Sequence, residues 1–334
     1  MGMLCYMRSF LGEVYMKSKI LYVVIPCYNE EEVLNETTKQ LKKKMSSLIK
    51  SNKISKDSKI MYVDDGSKDK TWEMIESISN KEPLFTGVKL SRNRGHQNAL
   101  LAGLMTAKKY ADMVISMDAD LQDDINVIDN MIDEYYLGYE IVYGVRSSRK
   151  KDTWFKRNTA QGFYWFMKKM GVDIVYNHAD CRLMSKRTLD ELENFDEVNL
   201  FLRGIVPLIG FKSTVVTYER NERFAGESKY PLKKMLSFDF DGITSFSIKP
   251  IRLILNSGII FSVISFIIFV YCIIQKFLGN TVEGWTFIVC SIWLIAGIQL
   301  ISLGVIGEYI GKIYNETKRR PRFIIERELI AEKK

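Results

Sequence analysis

With 334 residues, 47% of them hydrophobic, the chain can bury a full catalytic core and still hold a smaller second unit. The net charge of +8 favours an anionic partner, and because much of it lies beside apolar segments, at residues 229–234 and 312–322, it points to lipid headgroups and away from a nucleic-acid groove. Five cysteines (Cys5, Cys27, Cys181, Cys272, Cys290), odd in number and without a CxxC pair, argue against both a disulfide framework and a zinc site.

Residues 1–19 lack the long apolar core of a secretory signal, so they read as an N-terminal extension and the domain after them is expected in the cytosol. A β-branched run at 20–27 predicts the first strand, stopped at Pro26. Asn29 is placed to cap the next helix, with Glu32 three residues on completing a capping box, and the helix is expected to run to about residue 49. A second strand at 59–63 ends in Asp64, Asp65, Gly66 and Ser67. Acids and a glycine there suit a tight turn where a carboxylate accepts from a base N–H or a ribose hydroxyl, and they suit an ordinary strand-to-helix turn equally well. A third strand at 86–90 leads into Arg92, Arg94 and His96 at a helix start. Guanidinium groups beside a helix N-terminus make an anion site, whereas His96 is expected to have a positioning or structural role.

The stretch around which the rest is organised is MVISMDADLQDD at 113–124. A short apolar strand ends in Asp118, Asp120, Asp123 and Asp124, and carboxylates one residue apart at a strand end converge well on a hard divalent cation, Mg2+ or Mn2+. A further strand follows at 141–145, ending at Arg146. Alternating strands and helices with polar residues gathered at strand C-termini predict an α/β domain with a mostly parallel sheet, in which Asp64, Asp65, Asp118 and Asp120 share one crevice.

VIPCYNEEEVL, YVDDGSKDKT, LSRNRGHQNALLAGL and MDADLQDD, taken with DCRLMSKR at 180–187 and ERFAGESKYPLKKM at 222–235, resemble the inverting family-2 glycosyltransferases in order and spacing. With the C-terminal apolar segments, the set resembles the bacterial polyprenyl-phosphate (bactoprenol) glucosyltransferases, relatives of dolichyl-phosphate mannose synthase. The resemblance implies a GT-A-like nucleotide-sugar fold. It implies that Pro26, Tyr28, Glu30, Asp64, Asp65, Arg94, Asp118 and Ala119 bind the nucleotide sugar, and that Asp118, Asp120 and Gln122 surround a metal on its diphosphate. Arg223, Ser228 and Lys229 would form a second clamp on the leaving group, with Asp180 and Arg182 also in the catalytic site. Asp180 matches the aspartate often drawn as the family's general base, but a phosphate-monoester acceptor is already ionised near neutral pH, its second pKa being about 6, so orientation or electrostatics is the favoured role.

Residues 154–170 mix aromatics with lysine and arginine, as does a helix in the headgroup region, with aromatic core packing as the plainer alternative. The expected order is a catalytic domain at 20–231, an interfacial helix at 232–249, a two-helix transmembrane hairpin at 250–311 and a basic cytosolic tail at 312–334. Lys249, Arg252, Lys312, Lys318, Arg319 and Arg320 place both ends of the hairpin in the cytosol by the positive-inside rule, giving a multi-pass protein of the inner (plasma) membrane. The activity the resemblance implies is transfer of glucose from UDP-glucose, with inversion, onto undecaprenyl phosphate for cell-envelope glycan modification. Other donors stay open (GDP-mannose, UDP-N-acetylglucosamine, a UDP-aminoarabinose derivative), as does a non-catalytic membrane scaffold. Membrane lipids are the remaining expected partner, nucleic acid is not expected, and a homotetramer is compatible with the resemblance.

Overall fold

The computed structural model describes residues 18–146, 178–197, 201–219, 249–278 and 284–329. Each apolar run that the sequence marks as a strand forms one, with ends shifted by at most a residue: β1 Leu21–Cys27, β2 Lys59–Asp64, β3 Phe85–Leu90, β4 Met113–Ser116 and β5 Ile141–Arg146. Three strands were not foreseen: β6 His178–Ser185, β7 Ser213–Tyr218 and β8 Ile325–Leu329. Together they form one eight-stranded sheet in the order β7-β5-β6-β4-β1-β2-β3-β8. The pairs β1–β2, β1–β4, β2–β3 and β5–β7 are parallel, whereas β6 runs antiparallel to both β4 and β5, and β8 runs antiparallel to β3.

Side chains alternate across the sheet and divide the core in two. Val23, Ile25, Ile60, Tyr62, Met113 and Ile115 pack on one face against α1 (Leu34–Lys50), α2 (Thr71–Lys81) and α4 (Val127–Tyr136). Val24, Met61, Val63, Val88 and Val114 pack on the other against α3 (His96–Ala107), α5 (Lys186–Leu192) and α6 (Leu202–Leu208). The approach of α3 is close: a Cβ on Gly103 would stand 2.4 Å from Val24 Cγ1 and 2.6 Å from Val63 Cγ2. Strand order reverses at β1, which pairs with β2 on one side and β4 on the other, so a crevice opens at their carboxyl ends.

The capping box does not form. Helix α1 begins at Leu34 with no side-chain cap, because the Glu30 carbonyl takes the amides of both Val33 and Leu34. Asn29, at φ 53, instead accepts the Lys68 amide through Oδ1, and its own amide donates to Ser67 Oγ, so the loops after β1 and β2 are tied together.

Two long helices follow, α7 (Lys249–Phe277, 29 residues) and α8 (Trp285–Thr317, 33 residues). Leu255, Ile259, Ile260, Ile267, Leu300, Ile301 and Leu303 are among their large apolar side chains left exposed. Counted over the described residues alone, no helix is long and apolar enough to cross a membrane. Beyond α8 the expected basic tail carries β8, which returns to cover the free edge of β3, with Thr86 Oγ1 donating to the Leu329 carbonyl at 2.7 Å and Arg322 Nη1 to the Phe195 carbonyl at 2.6 Å.

Candidate active site

Polar residues gather where β1, β2, β4 and β6 end or begin. Asp64 closes β2, with both carboxylate oxygens 3.3 Å from the Ser67 amide, and burial raises its carboxyl. Asp65 has a task the sequence did not suggest. Its Oδ1 accepts from Arg94 N at 2.7 Å and its Oδ2 from Gly95 N at 2.9 Å, so it holds the loop that starts α3. Gly66 lets that loop dock: at φ +65, a Cβ there would lie 2.6 Å from Asn93 N and 2.7 Å from Arg92 C. Pro26 is buried at the end of β1, while Tyr28 and Glu30 follow it half-buried at the crevice, the Glu30 amide donating to Thr71 Oγ1 at 2.8 Å.

The acidic loop after β4 is fixed from beneath. Ala119 is buried and its carbonyl accepts from Thr37 Oγ1 at 2.8 Å, which anchors the loop to α1. Leu121 sits at φ 58, in the left-handed region that a branched side chain rarely adopts, and the Gln122 amide donates to Asp120 Oδ1 at 3.1 Å. What the structure places for Gln122 is thus its backbone beside Asp120. Asp123 is buried and accepts from Tyr218 Oη, so β7 braces the loop from the other side.

Among the described residues, the groups whose ligand atoms converge within 4.8 Å are His96, Asp118 and Asp180. His96 Nε2 lies 3.6 Å from Asp118 Oδ1 and 3.7 Å from Asp180 Oδ2. The histidine expected to be structural therefore stands between two of the site carboxylates. Burial, with the charges of Asp180, Asp123 and Asp120 adding to it against His96, pushes the Asp118 carboxyl up to about 6. Crowded carboxylates of this kind fit a divalent cation, which replaces their repulsion with attraction. Asp120, expected from the sequence as the second ligand, is not in this group: Asp118 is joined there by His96 and by Asp180, which is already matched by cations of the protein.

Those cations are Arg203, on α6, and Arg182, two residues along β6. Arg203 grips Asp180 in bidentate fashion, Nε to Oδ1 and Nη2 to Oδ2, each at 3.0 Å. Arg182, only 1% exposed, donates to Asp180 Oδ1 at 3.2 Å and to the Leu202 carbonyl at 3.3 Å. The Leu202 amide donates to Gln97 Oε1 at 2.8 Å, so the starts of α3 and α6 and the strand β6 form one hydrogen-bonded unit. Burial alone would raise the Asp180 carboxyl, but Arg203, then His96 and Arg182, outweigh it and hold the group well below the usual carboxylate range. Such a carboxylate is a weak base.

Arg203 was not found from the sequence. The signal available was physical: a buried aspartate in a strand needs cations, and Arg203 is the basic residue within the apolar stretch NLFLRGIVPLIG. Arg223, Ser228 and Lys229, together with residues 154–170 and 232–248, lie outside the described residues. Cys27 and Cys181 are buried and form no disulfide.

A family model described as glycosyl transferase family 2 matches residues 22–193. The chain belongs to glycosyl transferase family 2. This glycosyltransferase is 57% identical to an uncharacterized glycosyltransferase of Bacillus subtilis (strain 168), covering 94% of the present chain and 93% of the relative. It is 37% identical to a prophage bactoprenol glucosyl transferase homolog of Escherichia coli (strain K12), over 91% of this chain and 98% of that one. A bactoprenol glucosyl transferase of Shigella phage SfV is 38% identical, over 92% and 98% of the two chains. The likeness to these relatives thus extends over nearly the full length of the glycosyltransferase.

Proposed function

We propose that the chain transfers glucose from UDP-glucose, with inversion, onto the phosphate of a membrane polyprenol. The observation that carries this reading is the pairing of a crowded carboxylate, Asp118, with an ion-paired one, Asp180, across a single crevice at the strand ends. The two ends of that crevice suit two phosphate-bearing substrates. The likeness to a phage bactoprenol glucosyl transferase and to a prophage homolog supports glucose and bactoprenol as the pair.

In this reading a phosphate oxygen of the acceptor attacks the sugar C1, the bond from C1 to the diphosphate oxygen breaks, and the nucleoside diphosphate leaves with the electron pair. An acceptor that is already a dianion loses no proton in the step, so Asp180 has none to take. Asp118 and Asp120 would hold a Mg2+ or Mn2+ ion, which when bound supplies positive charge to the diphosphate leaving group. The loop of Arg94, fixed by Asp65, lies on the same side, and Arg223, Ser228 and Lys229 are assigned to the same leaving group by their match to the family motif.

The acceptor is a lipid, and we assign α7 and α8 to the membrane as a hairpin with both ends in the cytosol. The described residues alone do not make a spanning helix, so the support is the full sequence, whose apolar runs at 251–274 and 285–306 each reach the ~20 residues needed to span the hydrocarbon core, with Arg252, Lys312, Lys318, Arg319 and Arg320 near their outer ends. Purified protein in nanodiscs, given undecaprenyl phosphate and radiolabelled UDP-glucose, GDP-mannose, UDP-N-acetylglucosamine or a UDP-aminoarabinose derivative, tests the reading. A glucolipid formed with Mg2+ or Mn2+ and lost with a chelator is the expected result. Failure to form a lipid product with every donor overturns it. A native mass measurement on the same sample tests the homotetramer.

A further inference from the structure

We infer that His96 Nε2 is a ligand of the divalent cation beside Asp118, and that this nitrogen tilts the site toward Mn2+ and other first-row transition ions over Mg2+. This rests on the metal-dependent reading proposed above and names a ligand that the acidic motif does not contain. Nε2 is shielded from solvent and makes no hydrogen bond among the described residues. A histidine kept for packing or for a structural hydrogen bond would have that atom satisfied. What Nε2 faces instead is Asp118 Oδ1 at 3.6 Å and Asp180 Oδ2 at 3.7 Å, both too far for a hydrogen bond.

Two ligands that each stand about 2 Å from one ion lie about 3–4 Å from each other, and the gap between Nε2 and Asp118 Oδ1 has that width. Asp180 is the weaker third member, because its Oδ2 already accepts from Arg203 Nη2 at 3.0 Å. His96 is also held in place through both of its chain neighbours. The Gly95 amide donates to Asp65 Oδ2 at 2.9 Å, and Gln97 Oε1 accepts from the Leu202 amide at 2.8 Å, so the start of α3 is tied to the loop after β2 and to α6. Supports of this kind around a ligand fix its direction before the ion arrives. Carboxylates suit Mg2+ and Mn2+ alike, whereas an imidazole favours the transition ions. One nitrogen beside the Asp118 carboxylate therefore discriminates where the acidic motif alone does not.

The test reads the ion itself, apart from turnover. The full chain in phosphatidylcholine nanodiscs is loaded with Mn2+ in the presence of UDP and measured by electron spin-echo envelope modulation, which registers nitrogen bonded to the ion. A nitrogen coupling is expected, and it should change when the histidines carry the heavy nitrogen isotope. The coupling should vanish in His96→Gln and persist in His178→Gln; the second variant decides the assignment if the first does not fold. Mn2+ affinity, read from the free-ion signal, should fall by about 10- to 100-fold in His96→Gln, and Mg2+ affinity, read by competition, should fall less. Bound Mn2+ without a histidine coupling overturns the proposal, as do a coupling that survives in folded His96→Gln, one that disappears in folded His178→Gln, and the absence of any bound Mn2+. An equal fall for the two ions overturns the selectivity. Sugar transfer is scored separately on the same sample. No lipid product with any donor overturns the function reading while the spectrum still decides His96, and a glucolipid formed by protein whose Mn2+ shows no histidine coupling overturns the His96 assignment alone.

Discussion

The two sides of the crevice solve opposite electrostatic problems. At the end of β4, carboxylates are crowded together, and Asp118 rises to about 6 because burial and its acidic neighbours disfavour its charge. At the start of β6 a less exposed carboxylate is gripped by two guanidinium groups and held far below its ordinary range. In the proposed reaction the first side would be completed by a cation from solution, whereas the second brings its own. The proposed transfer, from a nucleoside diphosphate to a lipid phosphate, would use this division: a charge that can come and go with the nucleotide, and a charge that is fixed in the protein.

The largest effect expected in breaking the contrast is on the β4 side. Asp118→Asn should lower transfer by at least about 10³-fold, as expected where a charged ligand is replaced by a neutral amide. The same variant should unfold at a higher temperature than the wild type in chelator, because a buried repulsion has been removed. Loss of activity with a lower unfolding temperature would show that Asp118 is structural. The pH dependence follows with its sign. A carboxyl raised in the folded state contributes stability to the metal-free protein that is fully present below its ordinary pKa and is lost as pH rises through about 6. Mn2+ needs the ionised form, so its affinity, measured by titration calorimetry, should be full above that pH and fall about tenfold per unit beneath it.

On the β6 side, Asp180→Asn should lower transfer by about 10- to 100-fold without abolishing it, since the amide still presents one acceptor oxygen to Arg203. Its rate is best measured under saturating donor with chemistry rate-limiting. Turnover lost at every pH, with both substrates still bound, would restore the general base. A smaller change is expected at Gly66→Ala, where a Cβ meets the backbone of Arg92 and Asn93 at a positive φ. Destabilisation of about 1–3 kcal/mol is expected, read by denaturant unfolding, with weaker UDP binding because the Asp65 loop shifts. Thr37→Val should be the mildest, costing about 1 kcal/mol by orphaning the Ala119 carbonyl. Its turnover should fall only a few-fold, and an effect as large as that of Asp118→Asn would mean that the acidic loop depends on α1 for its shape.

The same contrast explains what could be read from the sequence. Strands β1 to β5 are buried β-branched runs that stop at polar turns, so period and punctuation alone locate them to within a residue. Strand β6 contains Asp180 and Arg182, two buried charges in a run that the eye takes for a motif, and only their mutual pairing lets it lie inside the sheet. Arg203 is 23 residues from its partner Asp180, and nothing local signals the contact. The Asn29 capping box failed because a better use for Asn29 existed across the crevice, at Lys68. Asp65 matched the motif, yet its two bonds to backbone amides depend on the docking of two loops, which spacing along the chain cannot reveal.

Strand β8 also bears on how the protein is made. Its partner β3 is synthesised about 240 residues earlier, with Thr86 bonded to Leu329 across that separation. Until the ribosome has released both long helices, the outer edge of β3 presents unpaired amides and carbonyls, a template for pairing with another nascent chain. Completion of the sheet is thereby coupled to the fate of α7 and α8: a chain whose apolar helices are not accommodated reaches its end without its last strand in place. Quality control acting on that open edge would remove molecules that are folded in every other respect.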